Sequence, residues 1–249
     1  MPLDAAADPA KLAVRIQANQ AVFQHADGLS GQTPKAVRGG IRSIRLYRDN
    51  NDPNPVELFD YGSNPVEVGY NNGDVTLLAQ IEPSKIPAGT YTQIRMVQTH
   101  SRFRVDGAYH DAGKDMTGVF DDVLVMTDGT MLDGTMRNAG YFRYVFESSQ
   151  GDKQEFTGDN GMIAPYSTTA GAVAVVEQGQ WAVYFPVQVT VPAQLPSGSA
   201  LNINVNMFES FRWKDMSGPG FQDGVFDATS ISYELVERFG GNEFSTVLQ

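Results

Sequence analysis

The strongest constraint on the fold is an alternation of apolar and polar residues with a period of two. Successive side chains on a strand point to opposite faces, so each alternating run buries one face and exposes the other. This pattern is typical of antiparallel sheets, because strands of parallel sheets are apolar on both faces. The apolar positions of the clearest runs are Leu12, Val14 and Ile16; Ile44 and Leu46; Val183, Phe185, Val187, Val189 and Val191; Leu201, Ile203, Val205 and Met207; and Ile231, Tyr233 and Leu235.

Turn-forming dipeptides separate these runs and suit backbone positions with positive φ. Helical structure is predicted only as single turns near 8–11 and 83–85. Short strands divided by frequent turns predict an all-β protein, either an antiparallel β-sandwich or a barrel. The dipeptides are Asn72-Gly73, Asp106-Gly107, Asp128-Gly129, Asp133-Gly134, Gly151-Asp152 and Asn160-Gly161.

The chain has 249 residues, 41% of them hydrophobic, which is enough for one large core. We predict a flexible lead-in over 1–10, a single sandwich domain over 11–240 with an irregular insertion of hairpins at about 107–179, and a tail over 241–249. Ile94 and Met96 are even-numbered, whereas Phe103 and Val105 are odd-numbered. One strand buries both sets only with a bulge, which we place between 97 and 101.

Charge and cysteine content exclude several classes of function. The formal net charge is −11, and the densest basic stretch, Arg38 to Arg48, has no clustered positive footprint of the kind that nucleic acid requires. There are no cysteines, which excludes disulfides and thiolate sites. No run approaches the roughly 20 apolar residues of a membrane helix, and no signal-peptide pattern opens the chain. The first residues are similar to the linker that remains after cleavage of an exported protein.

The segment Ile86-Pro87-Ala88-Gly89-Thr90-Tyr91-Thr92-Gln93-Ile94-Arg95-Met96 carries a family resemblance. It resembles the L/I-P-A-G-x-Y-x-x-I/L-R signature of bacterial envelope lipoproteins of unknown function, and the similarity extends over about Val37 to Val105. The resemblance implies a transthyretin-like sandwich in an extracytoplasmic location: periplasmic, on the outer-membrane surface or secreted. It carries over no catalytic residues. The chain departs from the family in its long middle segment and in having no lipobox cysteine.

The acid- and aromatic-rich segment after 208 holds the candidate ligand site. Glu209 continues the inward register of the 201–207 run, where an unpaired buried carboxylate signals a partner or a site. The alternative is that the strand ends before Glu209. Trp213 with Asp215, Asp223 and Asp227 suggests a carbohydrate platform, in which a ring covers a sugar face and acids bind hydroxyls or calcium. The alternative is an aromatic core edge beside a polar loop.

Calcium is the one cofactor that the sequence leaves open, since acidic loops supply the oxygen ligands it prefers. The best cluster is Asp49, Asn51 and Asp52, and the second is Asp121 and Asp122 with Asp128. Both are also compatible with ordinary turns. His25, His100 and His110 are expected at the surface or rim. If Asp106-Gly107 were a hairpin turn, the last two would lie about 10 Å apart, too far for one metal.

These features favour a non-catalytic, extracytoplasmic binding or assembly module whose partner is a protein or a glycan. The alternative is a glycan-active enzyme that uses carboxylates around Glu209, Asp215, Asp223 and Asp227, or a calcium-dependent carbohydrate-binding protein. No serine-hydrolase elbow or zinc-protease motif is present. Assembly into an oligomer or filament would use Leu12 to Ile16 as a donated strand.

Overall fold

The structure, a computed structural model, describes residues 8–111, 113–163, 166–168, 170–218, 220–230 and 232–249, with the side chains of 166 and 167 left aside. Most of the predicted lead-in and Ile231 lie outside these ranges. The only helix in the described residues is the single 3-10 turn Pro83–Lys85, at a predicted position. No helix in the described ranges is long and apolar enough to span a membrane.

Twenty strands follow one another in the described chain, which confirms the all-β prediction. They are β1 (Leu12–Asn19), β2 (Ser30–Gln32), β3 (Ala36–Tyr47), β4 (Val56–Asp60), β5 (Val66–Gly69), β6 (Val75–Ile81), β7 (Gly89–Asp111), β8 (Lys114–Val125), β9 (Thr130–Leu132), β10 (Thr135–Arg137), β11 (Phe142–Ser148), β12 (Lys153–Gly158), β13 (Tyr166–Ser167), β14 (Val173–Glu177), β15 (Gln180–Val191), β16 (Ala200–Asn206), β17 (Phe211–Lys214), β18 (Asp227–Thr229), β19 (Leu235–Phe239) and β20 (Glu243–Leu248).

Strand β7 is 23 residues long and pairs with four other strands of an eleven-stranded sheet. Its first half pairs with β15 and its second half with β8, while β3 pairs along its middle and β18 joins its end in parallel. The strand begins at Gly89, directly after Pro87 and Ala88. Tyr91 is fully buried, and its hydroxyl donates to the Pro87 carbonyl at 2.7 Å, which closes the turn. The middle segment supplies the hairpins β9–β10 and β11–β12.

A four-stranded sheet has the order β20-β16-β1-β6, with β1 and β16 parallel and the other pairs antiparallel. Residues 243–248 therefore form a strand, and the prediction of a tail over 241–249 is wrong. Phe244 explains this, because its ring is buried and stacks on Phe185 of the large sheet. The segment Leu12 to Ile16, predicted as a donated strand, is bonded on both edges within its own sheet.

One apolar core joins the sheets in a sandwich-like arrangement. Ile16 and Ile203 of the small sheet belong to the same buried cluster as Ile94 and Phe185 of the large one. The alternating runs of β1, β15 and β16 are buried as predicted. A third sheet, with the order β19-β17-β2, packs through Phe211 against Phe103, with 5.0 Å between the ring centroids. Burial of these faces is the main favourable contribution to folding.

The predicted bulge in β7 is present at Thr99. Gly40 of β3 pairs with His100, whereas Ile41 pairs with Gln98, so Thr99 is the extra residue. Its hydroxyl donates to the Gly40 carbonyl at 3.3 Å. The bulge lets the even-numbered apolar residues before it and the odd-numbered ones after it reach the same core.

Two sequence predictions about the sheet are wrong. Asp106-Gly107 is not a turn, because β7 continues through it and Gly107 pairs with Gly118 of β8. The alternation near the end of the chain is inverted. Glu234 is fully buried, while Tyr233 is 50% and Leu235 40% exposed. The Glu234 carboxylate accepts backbone N–H groups from two other segments, and these bonds hold it inward.

The hairpin between β14 and β15 offers a test of backbone strain. Gln178 and Gly179 form its two-residue loop, with φ of 49° and 71°. A left-handed conformation is costly for glutamine and is better tolerated by asparagine, which favours such turns. We expect Gln178→Asn to raise the free energy of unfolding by about 0.5–1 kcal/mol in urea titrations. Gln150→Asn, at an exposed turn without positive φ, should change it little; equal effects would contradict the explanation.

Candidate functional site

Glu209 lies outside the inward register predicted for it. Strand β16 ends at Asn206, and Glu209 follows in a turn with φ of 43°. Its side chain is 38% exposed and accepts a hydrogen bond from Nη1 of Arg212 at 3.1 Å. The alternative, in which the strand ends first, is therefore what the structure shows.

Trp213 belongs to the core and offers no platform for a sugar ring. It is 1% exposed and lies among the rings of Phe211 and Phe226, at centroid distances of 5.7 and 5.8 Å. Its indole nitrogen donates to Oδ1 of Asp215 at 2.9 Å, as a buried tryptophan requires. The ring that the sequence suggested for a ligand thus contributes to stability.

The structure brings Asp215 and Asp227 into one network, while Asp223 is exposed on the loop between them. Oδ1 of Asp215 accepts the Gly224 N–H at 3.1 Å, and Oδ2 of Asp227 accepts the Gln222 N–H at 2.7 Å. These carboxylates therefore fold the 215–234 segment by accepting backbone hydrogen bonds.

Glu234 is a third acid in this network, and sequence reasoning missed it. Its oxygens accept the N–H groups of Met216 and Asp227, both at 2.8 Å. Burial raises the pKa of Glu234, and the Asp227 and Asp215 carboxylates raise it further, against the effect of the two hydrogen bonds.

His110 attaches this network to the end of β7. Nε2 lies 2.8 Å from Oδ1 of the fully buried Asp227, and Nδ1 lies 2.7 Å from Oδ1 of the exposed Asp115. Burial opposes the charged ring, but the two carboxylates outweigh it and raise the pKa of His110 above its ordinary value. An aspartate on either side favours the doubly protonated imidazolium, which donates to both.

The predicted calcium cluster consists of turns closed by side chains. Asp49 accepts the Asn51 N–H at 2.8 Å, and Asp52 accepts the N–H groups of Arg48 and Asn54, both at 2.9 Å. These backbone bonds lower the pKa of Asp52. The carboxylates thus bind their own backbone.

The second acidic cluster is not assembled. Asp121 and Asp122 point to opposite faces of β8, with Asp121 exposed and Asp122 4% exposed. Oδ1 of Asp128 accepts the Ala139 N–H at 3.0 Å in a separate turn. Among the residues that the structure describes, no three acids or histidines are placed to hold a metal ion.

The most distinctive site is a cavity of about 230 Å³ on the face of the large sheet formed by β8, β11 and β12. Asp122 lies on its wall, and Thr229, Ser230 and Ser232 lie at its border. Six aromatic rings make up most of the remaining lining, namely Phe120, Phe142, Tyr144, Phe156, Phe226 and Tyr233.

Asp122 has an unusual environment for a carboxyl group. It occupies the inward register of β8 between Phe120 and Leu124, and its Oδ1 has no hydrogen-bond partner among the described residues. Burial raises the pKa of Asp122 well above its ordinary value, and the neighbouring Asp121 carboxylate adds to the effect. Burial also raises the pKa of Tyr144, with Asp122 as a further cause. Burial thus favours the protonated, neutral form of the Asp122 carboxyl.

The sequence carried a signal for this site. An acid in an apolar register was the criterion that singled out Glu209, and the series Phe120, Asp122 and Leu124 meets it equally. Asp122 was instead grouped with Asp121 as a calcium ligand, because the two are adjacent in sequence.

Comparisons of the chain with protein-family models, with curated proteins and with solved structures found no match. The resemblance of 86–96 to envelope lipoproteins therefore rests on the motif residues themselves.

Proposed function

We propose that this protein is a non-catalytic binding module that takes a small, largely apolar molecule into the Asp122 cavity. The observation that carries the proposal is an aromatic-lined cavity of about 230 Å³ with one buried carboxyl oxygen that lacks a partner. Binding sites for small molecules combine an apolar wall with a few polar groups that fix orientation. A buried polar atom without a partner is costly, so a ligand that supplies one gains affinity.

The positions of the acids that the sequence suggested for glycan chemistry favour a non-catalytic function. Asp215 and Asp227 accept hydrogen bonds from the backbone N–H groups of Gly224 and Gln222. Glu209 pairs with Arg212, and Asp223 is exposed on the loop. A retaining or inverting glycosidase needs two carboxyl groups facing one open cleft. Asp215, Asp227 and Glu209 are instead bonded to other groups of the fold.

The extracytoplasmic location, the envelope setting and assembly with protein or glycan partners belong to the same proposal. Their support is the family resemblance, the acidic composition and the sandwich-like fold. A cavity bordered by the exposed Ser230 is compatible with ligand capture from the surrounding medium.

Titration with 2-phenylethanol tests the site, with heat or ligand-observed NMR as the readout. We expect binding with a dissociation constant of about 1 mM, since a ligand of this size has limited contact area. Ser230→Trp, at the exposed border of the cavity, should weaken binding at least about tenfold by filling the opening.

Ser245→Trp is the matched control, because Ser245 is exposed on β20 of the other sheet. It should bind like the wild type. Equal binding by all three proteins, or no binding by any of them, would remove the proposal.

A further inference from the structure

We propose that the ligand of this cavity is an organic ammonium ion of about the size of one aromatic ring with a short chain, and that Asp122 is its counterion. This inference rests on the proposed function and adds the chemical class of the ligand. Its basis is the cavity's composition: one carboxyl oxygen without a partner, surrounded by aromatic faces.

The described part of the cavity lining holds a carboxyl group without a basic partner. Asp122 is the only residue with a carboxyl side chain that lines the cavity, and within the described residues no lysine, arginine or histidine lines it. Nothing on the wall therefore neutralises an ionised Asp122. A bound ammonium would provide the missing positive charge and donate hydrogen bonds to the Asp122 carboxylate at the same time.

Aromatic rings form most of the cavity wall. The negative face of an aromatic ring attracts a cation, and the attraction is larger where water is excluded. Phe120 and Phe226 are buried, and Phe142, Tyr144 and Phe156 are half-buried. An ammonium that leaves water for this cavity thus exchanges part of its hydration for ring faces and a carboxylate. An anionic ligand would meet repulsion from both.

The volume and the border of the cavity suit a small cation. An empty apolar cavity of about 150 Å³ accommodates a benzene molecule, so about 230 Å³ leaves room for a ring and a short chain. Tyr233 is half exposed at the border, and the net charge of −11 favours the approach of cations. The hydroxyl of Thr229 donates to the Ser232 carbonyl at 3.1 Å, so it is engaged within the loop.

Binding of the amine is a coupled proton exchange. The neutral Asp122 carboxyl loses its proton to solvent, and the resulting carboxylate pairs with the incoming ammonium, which keeps its three protons. The net change is one ammonium bound and one proton released. A neutral alcohol in the same cavity releases none, because Asp122 stays protonated.

The experiment compares three probes of similar shape: 2-phenylethylammonium, 2-phenylethanol and 3-phenylpropionate. We expect the amine to bind at least about tenfold more tightly than the alcohol, and the anion to bind more weakly than either. Calorimetry in two buffers of different ionisation enthalpy should show release of protons on binding of the amine and none on binding of the alcohol. This measurement uses the wild-type protein and so does not depend on the folding of a variant.

Asp122→Asn keeps the shape of the side chain but cannot ionise to form the carboxylate that pairs with the ammonium. It should abolish the preference for the amine while alcohol binding stays within about twofold of the wild type. An alcohol that binds as well as the amine, blocked by Ser230→Trp, would overturn the ammonium assignment and leave the binding function standing. If none of the probes binds, both proposals fail together.

Discussion

Replacing Asp227 by alanine is expected to lower the free energy of unfolding by about 3–5 kcal/mol, because it breaks a buried ionic contact and leaves its partners unpaired. The Asp227 side chain is fully buried and accepts from His110 and from the Gln222 N–H. Its loss leaves both donors without this acceptor. Urea unfolding followed by circular dichroism provides the measurement.

The matched control uses the other carboxylate on the same imidazole. Asp115 is 72% exposed, and Asp115→Ala should cost less than about 1 kcal/mol because solvent screens the pair. Comparable losses in the two variants would show that burial does not determine the strength of the contact.

The Asp227 contact also predicts a dependence on pH. The pKa of His110 is raised in the folded protein, so its stabilisation is complete below the ordinary histidine pKa and is lost as pH rises through the raised value. The difference in stability between the wild type and Asp227→Ala should therefore shrink on going from mildly acidic to alkaline solution. A difference that grows with pH would contradict the charged state of His110.

Asp122→Val is expected to raise the free energy of unfolding at neutral pH by about 1–3 kcal/mol. The variant removes a carboxyl that is 4% exposed and has an oxygen without a partner among the described residues. Valine suits a strand, and the adjacent cavity leaves room for its second methyl group. The same variant should lose the preference for ammonium ligands, so a gain in stability would accompany a loss of function.

The sign of the Asp122 effect follows from its raised pKa. Below the ordinary aspartate pKa the group is protonated in both states. As pH rises above that value, the unfolded carboxyl ionises while the folded one does not, and the wild type loses stability up to the raised pKa. The advantage of Asp122→Val should thus be small in acid and grow toward neutral pH. Asp121→Asn, at the exposed neighbour, should show little of this trend.

Local patterns were sufficient to predict most of the sandwich. The alternating runs of β1, β15 and β16 reflect a two-faced strand, and the Thr99 bulge followed from a change of parity within β7. Both depend on near neighbours in sequence and on the choice between core and solvent.

The errors lie where distant segments decide the outcome. The run through Tyr233 and Leu235 was assigned to the wrong face, because the Glu234 carboxylate is bonded to the backbone of Met216 and Asp227. The Asp106-Gly107 pair has the composition of a turn, yet pairing with β8 keeps it extended. A local sequence pattern contains no information about hydrogen-bond or strand partners that lie far away in the sequence.

The candidate site was missed for a related reason. Strands β8, β11 and β12 form the cavity together with the described residues between Phe226 and Tyr233, so its aromatic residues are separated in sequence by up to about a hundred positions. Asp122 alone carried a local signal. Whether an acid in an apolar register reaches solvent depends on what lies opposite its face of the sheet, and here Phe226 and Tyr233 come from a segment about a hundred positions away.

The pairing of β1 has a consequence for how the protein is made. Ala13 pairs with Ala200, and Asn19 pairs with Asn206. The first strand of the described chain therefore reaches its β16 partner only after nearly two hundred further residues have been synthesised. A nascent chain that has emerged only through β15 offers β1 a single neighbour, β6, and leaves its other edge open. Contacts of such long range slow folding and expose unpaired edges to other chains. The small sheet therefore closes only after β16 and β20 have been synthesised, and a holding chaperone would have its greatest effect on yield before that point.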